Sequence, residues 1–426
     1  MAKDAWSSST SQGSVWANYL KQGAKISAGG FGFVSEAVSA KTGARVAVKS
    51  VPKLPPSAGR SLRRRDKERL QQEVSIMKLV QNGDHVVRLQ DTFEDDCFVY
   101  MVMELCEGGE LVSYILEHGS HSEAQVVLVM RQVFLAVAYL HSCAVCHRDL
   151  KPENLLLLSR GPIARNVLKV ADFGLSALCP PGSELRGVVG TVPYLAPQVI
   201  TGRYDVSADI WSCGVLAYLL LCGHPPFWHD QDTARTTAAI KRGNFAFPSQ
   251  DWSKISQDAK RMIRSLLKMD PAERLTARGA CSDPWIVTDP PSTVLDDTLQ
   301  RLRRFMTVMY ATQRVSEDTA AACNQSSRTP TFLVSVFATF QAAGCCSSNT
   351  CSSPMANEVH MVRPDSVPSG SEYTVGMKVL YRSATHGAWL PTVVIDINDL
   401  GDIELEIKPR IWIAPEDQVN LIRPQG

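Results

Sequence analysis

Between His147 and Asn154 the chain reads His-Arg-Asp-Leu-Lys-Pro-Glu-Asn, and Asp172-Phe173-Gly174 follows a short insert later. These types and spacings suit the transfer of a phosphoryl group from a nucleotide. That chemistry needs a carboxylate to orient the attacking hydroxyl, oxygen ligands for Mg²⁺ and a cation at the transferring group. Asp149 meets the first need and Asn154 with Asp172 the second. Lys151, together with Lys49 from upstream, meets the third. Two such motifs in this order, separated by an insert the size of a β-hairpin, are not a chance pairing.

Such groups need elements to hold them. Ile26-Ser27-Ala28-Gly29-Gly30-Phe31-Gly32-Phe33-Val34 sets glycines between two strand-like runs, so a hairpin backbone could lie close over phosphates. Alone, this stretch is equally a simple turn. Val46-Ala47-Val48-Lys49 adds an apolar strand ending in a lysine. An edge strand with a solvated lysine would look the same, so the functional reading requires a buried acid. Glu73 is the candidate, because Val74, Met77 and Val80 follow it at helical spacing.

From about residue 19 to 287 the chain resembles a eukaryotic protein kinase domain. The resemblance rests on the Gly-rich stretch, Val46–Lys49, His147–Asn154, Asp172–Gly174, Gly190–Pro197, Asp209–Gly214 and Arg274, in that order. Lys151 and the Gly190–Pro197 segment resemble Ser/Thr rather than Tyr kinases. Met101–Leu111, with Asp209–Leu216 and the His224–Phe227 turn, is most similar to calcium/calmodulin-dependent and calcium-dependent kinases. The resemblance implies an α+β bilobal fold, with a small β-rich N-lobe and a mostly helical C-lobe. It also implies a Ser/Thr protein kinase using ATP and Mg²⁺.

Roles follow position by position. Asp149 would be the catalytic base, Lys151 would steady the γ-phosphate, and Thr191 would serve the same centre. Asn154 and Asp172 would bind Mg²⁺, while Lys49 would hold the α/β-phosphates and pair with Glu73. Ala28, Gly29, Gly30, Phe31 and Gly32 would form the phosphate roof. Ile26, Val34, Ala47 and Leu156 would sandwich the adenine. Met103 would be the gatekeeper, Glu104 and Cys106 the hinge contacts, and Glu110 would face the ribose. Two departures stand out: Ser27 replaces the first loop glycine, and Gln198 replaces the Glu that would pair with Arg274. An amide still bonds a guanidinium but loses the charge-assisted bidentate pair. Every chemical residue is present, so an inert kinase relative is not expected. The competing class is a catalytically weak kinase-fold scaffold that serves interaction only.

Glu110 and Glu153 match positions that receive an Arg three residues before the phosphoacceptor. Val188, Val192 and Leu195 would line an apolar pocket for the residue after it. The expectation is an R-x-x-S/T-hydrophobic preference. Between Asp172 and Gln198 the only Ser and Thr residues are Ser176, Ser183 and Thr191, and Gly187 stands where many kinases carry an activating Thr. Activity is therefore expected without phosphorylation there, and control must come from elsewhere. Leu295, Leu299, Leu302, Met306 and Met309 form one apolar stripe beside Arg301, Arg303 and Arg304. Such a basic amphipathic helix over 292–310 suits an autoinhibitory junction or calmodulin; the plain alternative is an extra helix packed on the C-lobe. Thr307, three residues after Arg304, is a candidate autophosphorylation site.

The remaining regions say less. Residues 1–18 are expected to be disordered, 19–287 to form the kinase domain, 288–320 the junction, and 321–370 a Ser/Thr/Cys/Pro-rich linker. Residues 371–426 alternate like a small Tudor-like β-barrel, whose Tyr373, Tyr381, Trp389 and Trp412 could face a peptide or methyl-lysine or fill its own core. The stretch Asp396–Gly401 resembles a calcium loop but puts Leu400 at a ligand position and Ile407 where a Glu belongs, so direct Ca²⁺ binding is not expected. Lipidation or zinc at Cys345, Cys346 and Cys351 lacks the needed spacing. The cations of Arg60–Arg69 read as the solvated start of the helix carrying Glu73. With Lys plus Arg at 44 and Asp plus Glu at 43, whole-chain charge supports no nucleic-acid partner. Neither a signal peptide nor a membrane span is apparent, so the expected setting is cytoplasmic with nuclear access.

Overall fold

A computed structural model describes residues 10–29, 32–54, 60–119, 121–230, 232–288, 292, 294–295 and 297–310, with five strands between 378 and 424. The first sheet contains β1 (Ser11–Gln12), β2 (Tyr19–Gly29), β3 (Gly32–Ser39), β4 (Arg45–Pro52), β5 (Leu89–Glu94) and β6 (Phe98–Glu104). Their order is β1-β5-β6-β4-β3-β2, antiparallel except for the β1–β5 pair.

The period of two along β4 divides its side chains between the two faces of this sheet. Val46 and Val48 pack with Tyr100 and Val102 on the outer face. Val51 joins Met101 and the apolar side of α1 (Arg60–Leu79), where Leu70, Val74 and Met77 are buried. Lys49 shares the parity of Val51, which directs it toward α1 and the cleft. The cations expected at the start of this helix are there, with Arg60, Arg63, Arg64, Arg65 and Lys67 exposed.

The outer face of the sheet corrects the expectation that residues 1–18 are disordered. Residues 10–18 are folded onto the sheet. Val15 is fully buried, Trp16 stacks edge-on against Tyr100 at 6.2 Å, and the Tyr19 hydroxyl donates to Asp91. Polar composition concealed this, because Val15 and Trp16 are the only large apolar side chains between residues 10 and 18, and both pack on this face with Tyr19.

The C-lobe is built on α2 (Leu111–His118), α3 (Glu123–Ser142) and α4 (Ser207–Cys222). A reciprocal Ser122–Gln125 capping box starts α3. This helix is long and apolar enough to cross a membrane by length and composition. Its Val126, Met130, Val133, Phe134 and Val137 instead lie in the C-lobe core. Buried Glu123 accepts from Ser256 N at 2.9 Å and Trp285 Nε1 at 2.9 Å, tying α3 to the later helices. A last helix, α5, spans 297–310 and packs Leu302, Phe305 and Met306 into the same core.

By contacts the chain divides into residues 1–346 and 347–426. The second unit holds the strands Lys378–Arg382, Trp389–Ile397, Ile403–Leu405, Lys408–Ile413 and Ile422–Pro424. They form one antiparallel sheet in the order 408–413, 403–405, 389–397, 378–382 and 422–424. The aromatic side chains named for this unit lie outside the described residues, as does the cysteine-rich linker.

Candidate active site

Register builds the cleft. Gly29 pairs with Gly32, Val34 with Lys49, and Ala47 with Met103. Gly32 adopts φ +133°, and a Cβ there would meet the Ser50 carbonyl, so only glycine fits the turn. Gly30 and Phe31 lie outside the described residues, as do the surroundings of Ala28. Ile26 is exposed, Val34 and Leu156 are half-buried, and Ala47 is buried. Glu104 accepts from Lys169 Nζ at 2.9 Å, and its main chain continues β6. Burial pushes the Cys106 thiol up to about 12, with Glu104 adding to it, so the thiol is neutral.

Lys49 Nζ lies 2.7 Å from Glu73 Oε1 and 2.7 Å from Asp172 Oδ1. Burial works against its charge, but Asp172 and then Glu73 outweigh burial and raise Lys49 above the ordinary lysine value. Asp172 shows the mirror case. Burial pushes its carboxyl up, yet Lys49 overrides this and holds it well below the usual range. Asp172 has φ +61°, a conformation costly for a non-glycine residue. The Lys49 bridge at 2.7 Å helps hold it there.

The second cluster sits between β7 (Val145–Cys146) and the hairpin of β8 (Leu155–Leu157) with β9 (Leu168–Val170), the insert anticipated from spacing. Asp149 Oδ1 accepts from Thr191 Oγ1 at 2.7 Å, and its Oδ2 lies 2.9 Å from Lys151 Nζ. Lys151 Nζ also donates to Thr191 Oγ1 at 3.2 Å, closing a triangle. Asn154 donates its amide nitrogen to the Asp149 carbonyl at 2.8 Å, which leaves the amide oxygen available as a ligand. Beneath the loop, buried Asp209 accepts from the main-chain nitrogens of His147 (2.8 Å) and Arg148 (2.9 Å) and from His141 Nε2 (2.9 Å). Gly190 passes so close that a Cβ would strike the Arg148 carbonyl.

A third cluster surrounds the two acids assigned to substrate. Glu153 is half-buried, and its Oε2 has no hydrogen-bond partner among the described residues. Burial pushes the Glu153 carboxyl up, opposed by Lys151 and reinforced by Asp149 and Glu110. The buried hydroxyl of Tyr194 is likewise without a partner there. Glu110 has one, because Tyr310 at the end of α5 donates to its Oε2 at 2.8 Å. Val188 and Val192 are partly buried against the core and Leu195 is buried. Sequence reasoning missed Tyr310, since the stripe that marked the helix stops at Met309. It also passed over Phe305, which packs edge-on against Trp228 at 5.0 Å.

Gln198 does reach Arg274, Oε1 to Nη2 at 3.3 Å, while its own nitrogen donates to Ser207 Oγ at 3.2 Å. The Arg274 guanidinium is otherwise held by the carbonyls of Lys268 and Ser207. Burial lowers its pKa to about 10, with Asp205 and Asp270 only partly offsetting.

A two-lobed scaffold with Lys49, Glu73, Asp149, Asn154 and Asp172 converging on its cleft has the architecture of a protein kinase. The family model described as protein kinase domain matches residues 20–286, and the chain belongs to that family. Its relatives lie in the calcium-dependent group. Calcium-dependent protein kinase 24 of Oryza sativa subsp. japonica is 39% identical over 291 residues, covering 68% of this chain and 55% of the relative. Calcium-dependent protein kinase 17 of Arabidopsis thaliana is 38% identical over 286 residues (66% and 53%). Calcium-dependent protein kinase 5 of Plasmodium berghei (strain Anka) is 38% identical over 263 residues (62% and 45%). The chain thus spans about half the length of these relatives.

Proposed function

We propose that the chain is a Ser/Thr protein kinase that transfers the γ-phosphoryl group of Mg·ATP to protein substrates. The observation that carries this reading is the Asp149–Thr191–Lys151 triangle beside the Lys49–Glu73–Asp172 bridge. The donor set suits the cofactors: Asn154 and Asp172 offer hard oxygens for Mg²⁺, and Lys49 offers a fixed cation for phosphate. When bound, Mg·ATP supplies the phosphoryl group and the metal offsets charge on its oxygens. Asp149 orients the attacking hydroxyl and accepts its proton, Thr191 fixes the Asp149 carboxylate, and Lys151 offsets charge beside it. Glu73 keeps Lys49 extended along the cleft. Mg·ATP-dependent phosphorylation of an R-x-x-S peptide, lost in Asp172→Ala, tests the reading. An active Asp172→Ala protein would refute it.

The substrate preference proposed is basic at the third residue before the acceptor. Glu153 Oε2 and the Tyr194 hydroxyl support it, being buried polar atoms that a guanidinium would satisfy. Autoregulation by α5 is proposed on the same pocket, because Tyr310 already occupies the acid that such a guanidinium would need. Calmodulin, if it is the partner of 292–310, must peel the helix away, since Leu302, Phe305 and Met306 are buried. Thr307 is exposed and, among the described residues, bonds within its own helix, to Arg303 O at 2.9 Å, so its phosphorylation needs the helix to unwind there. For residues 371–426 the antiparallel five-stranded order supports the Tudor-like reading, with a peptide or methyl-lysine as the ligand proposed.

A further inference from the structure

Arg148 belongs to the catalytic loop, carries φ +69°, and reaches the segment that follows Asp172 with its side chain. Its side chain donates from Nε to the Leu175 carbonyl and from Nη1 to the Tyr204 hydroxyl, the latter at 3.3 Å. Tyr204 is buried and lies on β11 (Arg203–Tyr204), paired with Leu185 on β10 (Leu185–Arg186). Around Arg148 the segment is fastened by further neutral contacts. Gln72 on α1 donates to Ser176 O at 2.7 Å, Ser176 Oγ donates to His147 O at 3.2 Å, and Cys179 N donates to Ala144 O at 2.7 Å. Gly187 N donates to Gly202 O at 3.1 Å.

We propose that Tyr204 is a positioning residue for phosphoryl transfer, its hydroxyl holding Arg148 so that the catalytic loop and the 172–198 segment stay in register without a phosphate. The inference rests on the phosphotransfer reading. Gly187 offers no hydroxyl to phosphorylate, and the guanidinium bonds a phenol and a carbonyl instead. Arg148 is continuous with Asp149 through one peptide bond, so a loosened side chain is felt directly at the catalytic carboxylate. Burial pushes the Tyr204 phenol up while Arg148 opposes it, leaving a neutral acceptor over the physiological range.

The test uses the full chain carrying Tyr310→Ala, which opens the substrate pocket, with an R-x-x-S peptide and Mg·ATP. In this background Tyr204→Phe is expected to lower kcat roughly tenfold, the loss of one hydrogen bond to a charged group. KM for ATP stays within about twofold, and the thermal midpoint falls by about 2–4 °C, as the loss of one such bond requires. Adding Arg148→Ala, or Arg148→Met if that protein does not fold, should leave Tyr204→Phe with less than about twofold further effect. A purely structural tyrosine would lower both backgrounds alike, and that outcome overturns the proposal. So does a Tyr204→Phe protein at full rate, or a parent whose activity falls after phosphatase treatment. Silence of the Tyr310→Ala parent would instead sink the phosphotransfer reading, and this proposal with it.

Discussion

Tyr310→Phe isolates the contact on which autoregulation depends. The substitution keeps the ring and removes only the hydroxyl that donates to Glu110 Oε2 at 2.8 Å. A hydrogen bond to a charged group contributes about 1.5–3 kcal/mol. Phe would also leave the Glu110 carboxylate facing a ring, which disfavours the docked end further. Taking the lower figure, about 1.5 kcal/mol corresponds to roughly a tenfold shift toward the undocked end. If docking competes with a substrate arginine for Glu110, apparent KM for an R-x-x-S peptide should fall up to about tenfold. The chemical centre is untouched, so kcat should stay constant. Steady-state kinetics on the full chain measure both constants. An unchanged KM would show that Tyr310 does not compete with substrate, and a fall in kcat would show that the hydroxyl serves folding rather than occupancy.

Other outcomes follow from the same contacts. Burial raises Glu153 above the ordinary carboxyl value, so protonation competes with arginine binding as pH falls. KM for the basic peptide should therefore rise from pH 7 toward 5, and Glu153→Gln should flatten the profile while raising KM at pH 7. Gln198→Glu gives the buried Arg274 a charged partner, exchanging a neutral bond for a charge-assisted one. Less the repulsion from Asp205, a gain of about 1 kcal/mol is expected. That appears as a rise of about 2–4 °C in the thermal midpoint with kcat unchanged; a lower midpoint would discount the missing charge as a defect. Val15→Ala removes two fully buried methyl groups and should cost about 2 kcal/mol. A midpoint within a degree of wild type would show that residues 10–18 do not belong to the folded domain.

Residues whose type is dictated by chemistry were readable in advance. Asp149, Lys151, Asn154, Asp172, Lys49 and Glu73 have few substitutes, and strand parity and helical spacing say how they converge. Tyr310 was not readable, because its role depends on α5 lying along the C-lobe so that its last turn reaches Glu110, some 200 positions away in the chain. Its phenol is equally at home in a core. The apolar stripe before it announced a helix but fitted calmodulin and the C-lobe alike; in the structure Phe305 and Met306 of that helix lie in the C-lobe core. Tyr204 was invisible for a similar reason, since nothing local links it to Arg148. Residues 10–18 were misread from their serines, although a segment laid over a sheet needs only one or two apolar anchors.

That N-terminal cover bears on how the domain tolerates cutting. The family match begins at residue 20, so a fragment trimmed to it would discard β1, Val15, Trp16 and Tyr19. Val46, Val48, Tyr100 and Val102 would then face water, and β5 would present an open edge to any strand that met it. A fragment with intact chemistry could thus be the one that clumps, through the face of the sheet opposite the nucleotide. Its aggregation would be easily misread as an inactive cleft.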